Sequence, residues 1–242
     1  MNTNAAIFED IVQSRRSVRL YDSNAPFDAD AVDRSLDRAL LAPNSSNLQL
    51  WEFYRVKTPA KVKELAVYCL AQNAATTANE LLVVVTRKDK WKAHAAFILE
   101  ESMKTFPPTI GKREKMMMDY YKKIIPTLYF SDPFGITSIF KKILFSGIGL
   151  FKPVPRQVTA TDMRVVVHKS AALAAQTFML SMKAEGYDTC PMEGFDSVRV
   201  KKFLNLPFAA EICMIVSVGT ATKNGIYGER LRLPKQEVVF EV

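Results

Sequence analysis

Histidine and cysteine are scarce in this chain of 242 residues, at two and three respectively. His94 and His168 stand far apart, and Cys69, Cys190 and Cys213 form no Cys-x-x-Cys pair. That scarcity speaks against a histidine-built metal cluster, a zinc site and a disulfide framework alike. Long apolar runs are missing too. The candidate at Ile143–Phe151 has nine residues, its Ser and Gly included, far short of the roughly 20 that a membrane-spanning helix requires. Asn2-Thr3-Asn4 is followed by an acidic amphipathic segment, without the basic and apolar pattern of a signal peptide. A reducing, cytoplasmic setting is the expectation.

What is present fits one soluble domain, 1–242, since a single core still grows at this length. Charge is distributed unevenly. Residues 87–160 hold 14 basic and 6 acidic side chains, so this stretch carries the whole net charge of +8. Such a field favours anionic small molecules or an anionic surface and says nothing about fold.

Ile7, Phe8, Ile11 and Val12 recur at helical spacing, which predicts a short amphipathic helix over 6–14. A second helix, with Val32, Leu36, Ala39 and Leu40 on one face, has Asp28 or Asp30 as a cap and stops before Pro43. Trp51–Lys57 reads as a strand. Thr58-Pro59 has the form of a helix start, with Val62, Leu65, Ala66 and Cys69 on one face. Leu81–Thr86 is a continuous β-branched run, as expected of a strand buried on both sides. Val165, Ala172, Leu173, Gln176 and Leu180 predict a long helix over 160–185, closed by Gly186. Glu211–Gly219 reads as the final core strand, and Val238-Val239-Phe240 as an added strand or a partner-wrapping tail.

Four polar stretches stand out. Ser14-Arg15-Arg16-Ser17-Val18-Arg19 offers guanidinium forks and a hydroxyl, a chemistry suited to phosphate, although alone it reads as a solvated basic turn. Asn44-Ser45-Ser46-Asn47 lines up amides and hydroxyls in a loop. Cys190-Pro191-Met192-Glu193-Gly194-Phe195-Asp196 predicts a tight turn with the Glu193 and Gly194 N–H groups free beside a helix capped by Asp196. Arg230 and Arg232, two residues apart, share a face if that segment is extended.

In this order and at about this spacing, the four stretches resemble the FMN-dependent nitroreductase family over roughly 5–85 and 160–240. The resemblance implies an α+β fold with a central, mainly antiparallel sheet flanked by helices, assembled as a domain-swapped homodimer. It implies FMN as cofactor and NAD(P)H as co-substrate. Hydride would pass through flavin N5 to a small acceptor, a nitroaromatic or quinone, by a ping-pong mechanism. Arg15, Arg16 and Ser17 would then hold the phosphate and ribityl region, with Arg230 or Arg232 joining the clamp. Arg19 would lie near N1, and Gln72 or Asn73 near the ribityl chain or pyrimidine edge. Pro191, Met192, Glu193 and Gly194 would form the N5 turn, its Glu193 and Gly194 amides poising N5, with no side-chain nucleophile. Asn44, Ser45, Ser46 and Asn47 would reach the partner subunit's FMN. Leu50 stands where the family usually has Pro after the Gln, and Ala74 or Ala75 where many members carry Lys.

The basic, partly apolar stretch at about 100–160 aligns with nothing in that family. Its amphipathic character predicts a helical excursion that covers the active site or adds to the dimer interface. A helix lying on a membrane surface, with Lys141, Lys142 and Lys152 at headgroup level, is a second reading. The lysines are not interleaved with aromatics as nucleic-acid readers require, so nucleic acid is not an expected partner. Two functional alternatives remain: a reductive dehalogenase on the same scaffold, with Glu101, Tyr120 and Lys122 as substrate clamp, or a non-catalytic flavoprotein docking on anionic lipid.

Overall fold

The apolar run at 81–86 lies mid-sheet and is covered on both faces. A computed structural model describes residues 2–242. In chain order, α1 (Thr3–Ser14) and α2 (Asp30–Ala39) precede β1 (Trp51–Val56), then come α3 (Pro59–Tyr68) and the single turn α4 (Asn73–Thr76). After β2 (Glu80–Thr86) the chain makes α5 (Trp91–Met103), α6 (Lys112–Asp119), α7 (Ile125–Tyr129), α8 (Ile136–Ile148) and the long α9 (Ala160–Ala184). It closes with β3 (Asp188–Met192), α10 (Ser197–Phe203) and β4 (Glu211–Gly219).

Among the described residues the sheet has four strands, ordered β1-β2-β4-β3, and every ladder is antiparallel. Because strand side chains alternate, β2 sends Leu81, Val83 and Val85 toward Val62, Leu65 and Val200 of α3 and α10. Leu82 and Val84 go the other way, to Val32 of α2 and to Phe178 and Met182 of α9. The fold is therefore α+β with helices on both faces, and the two-sided burial explains why β2 reads as an unbroken apolar run. A third cluster, with Leu48, Leu50, Ile98, Ile125, Tyr129 and Val167, roots the helical stretch 91–148 on α9.

Two expectations need correction. Val238–Phe240 forms no strand; it follows one 3₁₀ turn at Lys235–Glu237, and its apolar side chains are exposed. Pro191 and Met192 belong to β3, opposite Val216 and Ile215, so the turn begins only at Glu193. Helix α1 forms as expected and meets α9, with Ile11 half-buried and Ile7, Phe8 and Val12 exposed.

At the far end of α9, Glu185 clasps α2. Its carboxylate accepts from Arg34 Nη2 at 2.6 Å and from Arg38 Nη1 at 2.5 Å. Those bonds from Arg34 and then Arg38 hold its pKa at about 2 instead of the usual 4.5. A depressed carboxylate stabilises the fold fully above its unfolded pKa and loses that contribution as pH falls through the folded value. Glu185→Gln is thus expected to lower stability at neutral pH by ~1 kcal/mol or less, since the pair is solvent-screened. Urea titrations should show the gap between variant and wild type closing from pH 4.5 down to about 2.

Candidate functional site

The two ends of the chain meet in one polar cleft of about 420 Å³, lined by Arg15, Arg16, Ser17 and Arg19 from the segment after α1 and by Ile226, Tyr227 and Glu229–Arg232 from the tail. The meeting is held by backbone. Val18 N–H donates to Thr189 O at 3.2 Å and Arg19 N–H to Gly225 O at 2.6 Å, and Ser17 bridges Thr189. Arg230 is the staple: its guanidinium donates to Arg15 O (2.6 Å), Gln13 O (2.9 Å) and Gln13 Oε1 (3.1 Å). Arg16 Nη2 likewise donates to Gly228 O at 3.0 Å.

That accounting separates the arginines. Arg230 and Arg16 spend donors on main chain, whereas Arg232 bonds only its neighbour's carbonyl, Leu231 O, at 2.7 Å. The guanidiniums of Arg15 and Arg19 donate to no acceptor among the described residues. Burial, followed by the charges of Arg230 and Arg232, lowers the Arg15 pKa. None of these arginines forms an ion pair among the described residues, and Glu229 is the one carboxylate in the lining. Uncompensated cations packed this closely repel one another, and an anion seated among them would relieve the repulsion. The donor set suits a phosphate, which accepts from guanidinium forks through several oxygens.

The segment after β3 adjoins this cleft. Burial pushes the Cys190 thiol up while Arg19 and Arg15 pull it the other way, which places both arginines near the strand. Outside the sheet ladder, the Glu193 and Gly194 N–H groups donate to nothing among the described residues. The carbonyl of Gly194 does have a partner: Gln72 Nε2 donates to it at 2.7 Å and also to Cys69 O at 3.1 Å. A Cβ at Gly194 would stand 3.2 Å from that same Nε2, so a larger residue here would press on the Gln72 amide. Gln72 thus positions the turn. Asn73 Nδ2 donates to Tyr227 OH at 3.2 Å, tying α4 to the tail. Met192 is a core side chain, so only its backbone remains for a ligand, whereas Pro191 is half-buried. Asp196 caps α10 as expected, accepting from Val198 and Arg199 N–H at 3.1 and 3.0 Å.

The loop Asn44–Asn47 lies elsewhere. Ser45 N–H donates to Ser170 Oγ of α9 at 3.2 Å, and Ser46 Oγ lies 2.7 Å from Tyr120 OH. Tyr121 OH donates to Ser46 O at 3.0 Å, and Asn44 Oδ1 accepts from Gln49 N–H at 2.8 Å. Ser46, Asn47 and Gln49 all adopt left-handed φ, at 57°, 52° and 49°, a conformation uncommon outside glycine. Among the described residues no hydrogen bond joins this loop to the arginine cleft. Beside it lies an apolar cavity of about 720 Å³, whose walls include Leu36, Leu40, Trp51, Phe53, His94 and Phe97.

Sequence reasoning passed over Tyr227 and Tyr121, and singled out Tyr120 only as a substrate clamp in the dehalogenase alternative, not as a partner of Ser46. Tyr227 stands in an irregular segment without periodicity, and Tyr120 sits in a π turn (Tyr120–Ile124) between α6 and α7. Neither carries a motif. Among the described residues, no three His, Cys, Asp or Glu side chains converge as a metal site would need.

A model of the Nitroreductase family matches residues 12–220. YodC of Bacillus subtilis, provisionally named an NAD(P)H nitroreductase, is 27% identical over 227 residues, covering 93% of this chain and 95% of its own. The structure of ydfN from the same organism, a provisional nitroreductase, superposes with a TM-score of 0.76 at 24% identity, over 98% of this chain and 100% of that one. A protein of Exiguobacterium sibiricum solved in complex with FMN gives a TM-score of 0.65 at 21% identity, covering 97% of each chain.

Proposed function

Because the chain belongs to the nitroreductase family, we propose that it is an FMN-dependent NAD(P)H oxidoreductase acting on a small electron acceptor, a nitroaromatic, a quinone or a molecule like them. The observation that carries this reading is the cluster of Arg15, Arg19 and Arg232, drawn from both ends of the chain and left without counter-anions. Bound FMN would supply hydride transfer from NAD(P)H to the acceptor.

The chain's own residues bind and orient. Arg15 and Arg232, with the Ser17 hydroxyl, hold the phosphate; Arg230 and Arg16 keep the tail on the head so that those donors converge. Arg19 supplies fixed positive charge between the phosphate cleft and β3. The Glu193 and Gly194 amides, steadied by the Gln72 bond to Gly194 O, would donate to the electron-rich edge of the ring system. Preformed donors of this kind need no reorganisation when charge develops, which is where protein electrostatics contributes most.

The proposed enzyme is a homodimer. The exposed apolar faces of α1 and of the tail, with Val165 and Leu173 on α9, have nothing to cover them in one chain. The loop Asn44–Asn47 would complete the partner's cleft.

Visible absorbance of freshly purified protein tests the assignment. Yellow flavin bands that bleach on adding NADH or NADPH are expected, from a species of twice the 27.3 kDa chain mass in light scattering. Colourless protein that refuses added FMN would sink the reading.

A further inference from the structure

Helix α8 is built inside out. Its apolar residues Ile136, Ile139, Phe140 and Ile143 follow helical i, i+3, i+4, i+7 spacing, yet each is 64–67% exposed. Two of its polar residues, Lys141 and Ser138, turn inward. Lys141 is 9% exposed, and its ammonium donates to Leu128 O at 3.1 Å and Phe130 O at 2.6 Å; Ser138 Oγ accepts from Ala160 N–H at 3.1 Å. The outward stripe is prolonged at both ends by Phe134 and by Leu150 and Phe151, all more exposed still. Folding thus anchors the helix through Lys141 and Ser138 and leaves a continuous apolar face outside, larger than scattered surface residues account for.

The charge around that face says what fits it. Residues 133–157 contain Lys141, Lys142, Lys152 and Arg156 and no carboxylate. With Lys141 turned inward, Lys142 and Lys152 stand exposed beside the stripe. A second copy meeting this face across a two-fold axis would set those cations against themselves with no acid to offset them. An anionic lipid surface satisfies both features, taking the aromatic and aliphatic stripe into the headgroup–acyl boundary and the lysines among the phosphates. Among the described residues no helix is long and apolar enough to cross a bilayer, so the contact is one that lies on the surface.

We propose that α8, with Phe134, Leu150 and Phe151, is a docking face for anionic phospholipid membranes. It differs from the expected surface helix in that Lys141 is a buried anchor, not a headgroup ligand. The inference is independent of the flavin assignment.

Sedimentation of the full chain with vesicles of phosphatidylcholine, with and without phosphatidylglycerol, tests it. Binding is expected on the anionic vesicles alone and should weaken as salt rises. Ile139→Glu/Ile143→Glu should reduce that binding by about tenfold or more, while the melting temperature and oligomeric mass stay unchanged because both side chains already face solvent. Lys142→Gln/Lys152→Gln should reduce it at low salt and flatten the salt dependence. No binding to anionic vesicles, equal binding to both kinds, or Glu variants that change the oligomeric mass and leave vesicle binding intact would each overturn the proposal.

Discussion

Arg15→Ala is expected to weaken FMN binding about 10- to 150-fold, the ~1.5–3 kcal/mol of a hydrogen bond to a charged group. The argument rests on what Arg15 lacks. Its guanidinium finds no acceptor among the described residues, while Arg230 and Arg232 stand close enough to lower its pKa along with burial. Removing it should therefore leave the flavin-free protein no less stable, since one member of a repelling cluster is gone. Fluorescence titration at fixed ionic strength measures the affinity. Riboflavin, which has no phosphate, is the control, and its affinity should hardly move. Equal loss for both ligands would place Arg15 against the ring or ribityl chain, and no loss for either would remove it from the site. Arg230 should behave otherwise, because its substitution breaks three hydrogen bonds that hold tail to head.

The largest loss of stability is expected from Arg55→Met, about 3–5 kcal/mol, the usual result of stranding a buried charge. Arg55 joins β1 to β2 and to the start of α2. Its guanidinium meets Glu80 at 2.5 and 2.8 Å, Asp33 at 2.7 Å and Ala29 O at 2.7 Å. Glu80 is the vulnerable partner, for its side chain is 6% exposed and Arg55 is its one counter-ion among the described residues. Methionine keeps the stem's volume and removes the charge, so the carboxylate must be protonated or rehydrated in the folded state. The double variant Arg55→Met/Glu80→Leu should recover most of the loss, because replacing both partners by apolar groups leaves no orphan. Urea unfolding of wild type, the two single variants and the double variant gives the coupling directly. A double variant no more stable than Arg55→Met would show that packing around the pair, not its charge, is what matters.

Features with local causes could be read from the chain. β2 announces itself because burial on both faces demands an apolar residue at every position, and α9 because its period is sustained for seven turns' worth of sequence. Asp196 and Gly186 were visible as caps since capping depends on one residue and its neighbours; Gly186 indeed has a φ of 88°. What stayed hidden depends on approach between distant segments. Arg230 and Arg232 look alike in sequence, but one reaches the carbonyls of Gln13 and Arg15, more than 200 residues away, and is consumed by them. Pro191 suggested a turn, yet β3 lies at the sheet edge, where a missing N–H costs no ladder bond. Lys141 looked like one of several surface cations until the carbonyls of Leu128 and Phe130 gave it a reason to be inside. The convergence of head and tail followed from the family resemblance and not from any pattern in the residues.

The three thiols carry a practical consequence. Cys69 and Cys190 are buried and Cys213 is half-buried. Burial pushes Cys69 and Cys213 up to about 11 and raises Cys190 as well. A raised thiol pKa keeps the reactive thiolate scarce at neutral pH. The native thiols are therefore expected to react slowly with maleimides. A lone cysteine placed at an exposed position such as Phe134 would accept a polarity-sensitive dye there first, turning one surface into a reporter on an otherwise untouched enzyme.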